Sequence, residues 1–227
     1  MNSGTVCGKK LFNNLPVLLS KNYILASCVI SNDTVYKNGN PVFKNKESEI
    51  SAFLESAYVF ADPKYPKFYK MDNLSKLGFL ASEILLKDNE QARTYPAEEV
   101  GIVLSNASAS LDTDIKYYKT VNDFASPALF VYTLPNIVIG EICIRNGFKG
   151  ENAFFISERF DASFMVDYVD NLINNNILQC CICGWVELFK ESYKAAFFLV
   201  DRNTDNPSVS TFFDTNQIVH IYQSNNG

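Results

Sequence analysis

Residues 149–174 read KGENAFFISERFDASFMVDYVDNLIN, and this stretch decides how the chain folds. Ala153–Ser157 is a short apolar run of the kind that makes a buried strand. Asp161 is a predicted N-cap, because its carboxylate can accept from the first free amides of a helix. The helix face that follows is Met165, Tyr168, Val169, Leu172 and Ile173, spaced at three and four residues. A strand, a turn and an amphipathic helix make half of a strand–helix–strand crossover.

Working outward, the same alternation recurs. Asn22–Ile30 (NYILASCVI) reads as a buried first strand ending at the turn-prone Ser-Asn-Asp. Residues 31–47, with Gly39 and Pro41, read as a loop. Ser48–Phe60 carries Ile50, Phe53, Leu54 and Ala57 at helical spacing. Met71–Lys87 is the clearest helix, with Met71, Leu74, Leu77, Leu80, Ile84 and Leu85 near one face and Asp72 at its start. Glu99–Ser105 is a buried strand, residues 112–123 are helical, and Asn136–Asn146 is a further helix. Ile177–Glu187 and Lys194–Asp201 are strands. The polar run after Arg202 marks a boundary between a domain at 1–201 and a tail at 202–227, in which Gln217–Tyr222 is an extra strand. Strands alternating with helices imply a mostly parallel sheet.

Composition narrows the function. The chain has 227 residues, 47% of them hydrophobic, with a formal net charge of −5. That is apolar enough for a sizeable core, and the negative charge gives no general attraction to nucleic acid or anionic membrane. The segment Pro127–Ile144 is interrupted by Asn136, Glu141 and prolines, which makes it a poor membrane span. The first twenty residues hold a lysine pair, but Asn13, Asn14 and Pro16 break the apolar stretch a targeting signal needs. The six cysteines are Cys7, Cys28, Cys143, Cys180, Cys181 and Cys183. They lie mostly in apolar runs and match no secreted disulfide framework, so they read as reduced, buried thiols of a cytoplasmic protein. Adjacent cysteines in a strand do not supply four converging zinc ligands, and no cofactor motif is present.

An ordered set of features resembles the N-terminal half of the β-ketoacyl synthases of the thiolase superfamily. Met71-Asp72 opens the helix MDNLSKLGFLASEILL, and the strand VGIVLSNASAS follows. Then come Pro127, Asn136, Gly140 and the Lys149, Gly150, Asn152 run, and last a strand closing on Gly184 and Glu187. The resemblance spans residues 22–201. It implies an α/β thiolase-like half, a five-stranded mixed sheet with helices on both faces.

The resemblance also implies a nucleophilic cysteine after the Lys-Gly-x-Asn run, where a helix N-terminus lowers a thiol's pKa. Counted from Gly150, its place falls on Arg159, and a one-residue slip gives Glu158 or Phe160. A guanidinium does not attack a thioester. Ser157 and Ser163 are the nearby hydroxyls, with no visible base. The two oxyanion-binding groups would come from a second half, which the chain is expected to lack, and its only histidine is His220. That residue reads as a solvated strand position. Arg159 either fills the vestigial acyl pocket or pairs locally with Glu158.

The resemblance therefore implies a non-catalytic ketosynthase-like subunit, a pseudoenzyme serving fatty-acid, polyene or polyketide assembly. It would be a homodimer or a heterodimer with a full-length ketosynthase. The basic-aromatic stretch of Lys64, Lys67 and Lys70 with Tyr65, Phe68 and Tyr69 reads as a solvated loop, or it could meet an acidic acyl carrier protein. The alternatives are an acyltransferase with a non-standard nucleophile, or a homodimeric acyl-ligand-binding module.

Overall fold

The computed structural model describes residues 21–46, 49–203 and 211–224. Cys7 and the segment before residue 21 lie outside the described residues.

Eight strands form one mixed sheet. They are β1 (Tyr23–Ser31), β2 (Thr34–Lys37), β3 (Asn40–Lys44), β4 (Val100–Asn106), β5 (Asn152–Ile156), β6 (Cys180–Phe189), β7 (Ser192–Asp201) and β8 (Thr211–Phe212). The helices are α1 (Ile50–Ala61), α2 (Asn73–Leu86), α3 (Leu111–Thr120), α4 (Pro127–Val131), α5 (Ile137–Asn146), α6 (Ala162–Asn174) and α7 (Thr215–Gln223). The strand order is β3-β2-β1-β7-β6-β4-β5, with β8 also on β1. The five strands expected from sequence therefore form a contiguous core, β1-β7-β6-β4-β5. Three unexpected strands extend it on the β1 side, so the sheet has eight strands rather than five.

Two of these additions are the hairpin β2–β3, which replaces the expected loop at 31–47. Asn32 and Asp33, at φ 49° and 55°, turn β1 into β2, and Asn38 and Gly39, at φ 51° and 77°, turn β2 into β3, both in the left-handed conformation of a tight two-residue hairpin turn. Pro41 is tolerated because β3 is the outermost strand. Parallel pairing is confined to β4–β5 and β4–β6. The other pairs, β1–β2, β2–β3, β1–β7, β1–β8 and β6–β7, are antiparallel. The expectation of a mostly parallel sheet is thus corrected: hairpin connections force antiparallel neighbours. The run Gln217–Tyr222 lies in α7 rather than in a strand. Asp214 accepts from the Gln217 amide at 2.9 Å and caps it, and Ile218, Ile221 and Tyr222 serve a helix face as well as a strand.

Both faces of the sheet are covered. On one, Ile30, Ile102, Ile182 and Phe197 pack under α1, α2 and α5. On the other, Val103, Cys183, Phe198 and Val200 pack under α6 and α7. Burial on both faces explains why β4, β6 and β7 are nearly continuous apolar runs. Asp72 and Asp161 cap α2 and α6 as expected, accepting from Ser75 N at 2.9 Å and Phe164 N at 3.0 Å. No helix among the described residues is long and apolar enough to cross a membrane.

Gly184 is demanded by backbone geometry. Its φ is +147°, and an added Cβ would lie 2.0 Å from the carbonyl oxygen of Ala196 on β7. Gly140 in α5 has open space instead. Urea unfolding should separate them. Gly184→Ala is expected to lose about 2–4 kcal/mol from strain and overpacking, whereas Gly140→Ala should gain about 0.5–1 kcal/mol of helix stability.

Candidate functional site

With both faces filled, polar chemistry gathers where the parallel strands end, the edge at which open α/β sheets place their sites. Three segments meet there. The first is the turn after β4. The Asn106 side chain donates to Ala109 O at 2.8 Å and accepts from Ala109 N at 3.0 Å, which holds Ala109 at φ 49°. The second is Glu187, three residues beyond Gly184 on β6. Its Oε2 accepts from the consecutive amides of Ala107 at 2.6 Å and Ser108 at 3.2 Å, a small anion-holding concavity occupied by an internal carboxylate. This gives the Gly-x-x-Glu pattern a physical role: the glycine admits the neighbouring strand, and the glutamate ties the end of β6 to the β4–α3 turn.

The third segment is the turn from β5 to α6. Ser157 N donates to Asn106 O at 2.9 Å, joining the two turns. Ser157 Oγ donates to Arg159 O at 2.9 Å, so that hydroxyl is used within the turn. Glu158 and Arg159 are both exposed. Among the ion pairs of the described residues none joins them, and Arg159 projects outward rather than filling a cavity. Arg159 stands two residues before the helix cap, Asp161. The group at the positive end of α6 is the Asp161 carboxylate, whose Oδ1 takes the Phe164 amide. A helix end already neutralised by a carboxylate offers little stabilisation to a second anion. Ser163 is exposed in the first turn of α6. Phe160 turns inward, 4.8 Å from Tyr222, 6.1 Å from Trp185 and 6.4 Å from Phe198 between ring centroids.

The other candidates lie elsewhere. His220 is exposed on α7, not on a strand. Cys180 faces the α2 side of the sheet while Cys181 and Cys183 face the α6 side, and burial pushes all three thiols up. Neighbours on opposite faces cannot converge on one ion, and among the described residues no group of three His, Cys, Asp or Glu side chains could hold a metal. Lys67 pairs with the buried Glu141 at 2.7 Å, Lys64 lies 3.9 Å from Asp62, and Lys70 is exposed.

Two polar groups were not anticipated as a unit. Asp72 is half-buried, and its second oxygen accepts from Thr113 Oγ1 at 2.6 Å, tying α2 to α3. Glu141 accepts from Tyr132 Oη at 3.1 Å, tying the segment after α4 to α5. A lone acid within the apolar run VIGEICI was the available signal. Together these bonds fasten the α3–α4 lobe at its base. The outer side of that lobe is apolar and exposed: Tyr118 is 75% exposed, Phe124 79% and Phe130 59%.

No family profile matches the sequence, and no curated protein matches it. Solved structures do match in fold. The ishigamide ketosynthase/chain length factor aligns with a TM-score of 0.59 at 16% identity, covering 84% of this chain and 64% of that one. The AntDE:AntF complex, a type II PKS acyl-carrier protein with its ketosynthase bound to the hexaketide, gives 0.56 at 14%, covering 80% and 62%. The ketosynthase ApeO with its chain length factor ApeC from Xenorhabdus doucetiae gives 0.54 at 10%, covering 82% and 80%. The fold is that of the thiolase-like ketosynthases. The chain spans about three fifths of the length of the first two structures.

Burial raises the pKa of Asp72 above the ordinary carboxylate range, with the hydrogen bonds from Thr113 and Ser75 opposing it. The folded chain then keeps this proton to higher pH than the unfolded chain does. The stability it contributes is present below the unfolded value and is lost as pH rises through the folded value. Asparagine caps equally well and does not ionise. In urea unfolding at pH 4.5 and 7.5, Asp72→Asn is therefore expected to gain on the wild type as pH rises.

Proposed function

We propose that the chain is a non-catalytic ketosynthase-like subunit that pairs with a catalytic ketosynthase in fatty-acid, polyene or polyketide assembly. The reading rests on one observation: in a ketosynthase fold, the turn that leads into α6 carries Arg159 and no thiol, and Asp161 already holds the helix end. A guanidinium cation neither attacks a thioester nor carries an acyl group. Two of the matching structures are ketosynthase–chain length factor assemblies, which supports a partner of that kind. So does the exposed apolar side of the α3–α4 lobe, since apolar patches of this sort mark interfaces. An acyl carrier protein is a further partner for the pair, supported by the carrier complex among the neighbours, with the cytoplasm as its place of action.

Co-expression with a ketosynthase encoded beside it should yield a complex by size exclusion. Phe124→Asp is expected to weaken that complex by roughly 30-fold, the effect of one interface anchor, while leaving the thermal midpoint of the isolated chain unchanged. Failure to bind any ketosynthase or carrier protein would sink the proposal, and a homodimer alone would favour an acyl-ligand-binding module.

Incubation with an acyl-CoA followed by intact-mass measurement is expected to show no added mass. A stable adduct on Ser157 or Ser163 would mean instead an acyltransferase with a non-standard nucleophile.

A further inference from the structure

Residues 111–131 hold α3, α4 and the turn between them. α3 buries only Thr113 of its ten residues and α4 buries none of its five, whereas α2 buries twelve of fourteen. The two helices nevertheless hold to each other. The Tyr117 and Phe130 ring centroids lie 5.4 Å apart, and Thr120 Oγ1 accepts from the Ser126 amide at 3.0 Å. The ends of the segment are drawn together as well, because Ser110 Oγ donates to Thr133 O at 2.7 Å. A unit with its own contacts, a closed neck and little burial opens as a whole before the rest of the fold does.

Beyond that neck, two hydrogen bonds among the described residues tie the segment to the body. Thr113 Oγ1 donates to Asp72 Oδ2 at 2.6 Å, and the Lys190 amide in the β6–β7 turn donates to Asp112 Oδ1 at 3.1 Å. Each carboxylate has a second partner that stays with it when the tie breaks. Asp72 keeps the Ser75 amide at 2.9 Å, and Asp112 keeps Lys116 Nζ at 2.7 Å. Opening therefore strands no charge, which is what makes most polar ties costly to break. We propose that residues 111–131 form a hinged arm that swings about Ser110 and Thr133, latched shut by Thr113 on Asp72 and by Asp112 on the β6–β7 turn. The neck is the fixed point, since the adjoining Tyr132 donates to Glu141 at 3.1 Å. The arm carries Tyr118, Phe124 and Phe130, all exposed. A partner resting on both arm and body contacts only one arm position, so docking selects the latched one. That last step rests on the partner reading, and the arm itself does not.

Hydrogen exchange on the full chain, read by peptide mass spectrometry, tests the arm without any partner. Peptides from α3 and α4 should exchange together, and faster than those from α2 and α6. Thr113→Val removes one latch and should speed exchange in both α3 and α4 about tenfold, the scale of a hydrogen bond to a carboxylate, with α2 and α6 unchanged. Thr113→Ser keeps the hydroxyl and should restore the wild-type rate. The response of α4 is decisive, because fraying of α3 alone does not reach it. An α4 left unchanged by Thr113→Val overturns the hinged arm, as does exchange of α3 and α4 no faster than that of α2. Acceleration over α2 and α6 as well would mean general destabilisation, and overturns it too. If Thr113→Val does not fold, Asp112→Ala, which frees the Lys190 amide, carries the same test. In a complex with a ketosynthase, exchange over both helices should slow. Unchanged exchange in a formed complex overturns the selection step, whereas failure to form one counts against the partner and leaves the arm decided by the isolated chain.

Discussion

A sheet packed on both faces has no room for polar chemistry along its strands. In this chain β4, β6 and β7 are apolar on each side, and α1, α2 and α5 cover one face while α6 and α7 cover the other. Polar side chains then gather at strand ends, where backbone groups leave the ladder and need partners. That constraint accounts for the concentration of Asn106, Glu187, Ser157 and Asp161 at a single edge. Each of them satisfies amides or carbonyls that the sheet and helices leave over.

The same accounting bears on function. A catalytic turn needs unspent groups, a nucleophile with a base or an amide pair aimed at an oxyanion. Here the consecutive amides of Ala107 and Ser108 are taken by Glu187, the Ser157 hydroxyl is taken by the Arg159 carbonyl, and the α6 terminus is taken by Asp161. The edge has the form of a site with its donors used internally. Apolar side chains face solvent instead on the α3–α4 lobe, whose base is fixed by Asp72 and Glu141. That combination of a rigid base and an apolar exterior suits contact with another protein.

Helices with a clear 3.6-residue pattern and a capping acid were legible within one or two residues, as at α2 and α6, because cap and periodicity are local properties. Errors arose where a local pattern fits two states. The sequence QIVHIY is rich in β-branched and aromatic residues like a strand, yet it is a helix once Asp214 caps it and Ile218 finds the sheet. The segment after Ile30 reads as a loop because of Gly39 and Pro41, but Gly39 serves the left-handed turn between β2 and β3, and the edge position of β3 makes Pro41 acceptable.

By itself the sequence determined the five core strands, the capped helices and the residue that stands before α6, since each depends on neighbours within a turn or two of the chain. Tertiary structure alone decided the antiparallel partners of β1, the pairing of Glu187 with amides about eighty residues away, the opposite faces of Cys180 and Cys181, and the contact of Tyr222 with Phe160. Those features join residues far apart in the chain. Closing such loops is set by global packing, which no local periodicity encodes.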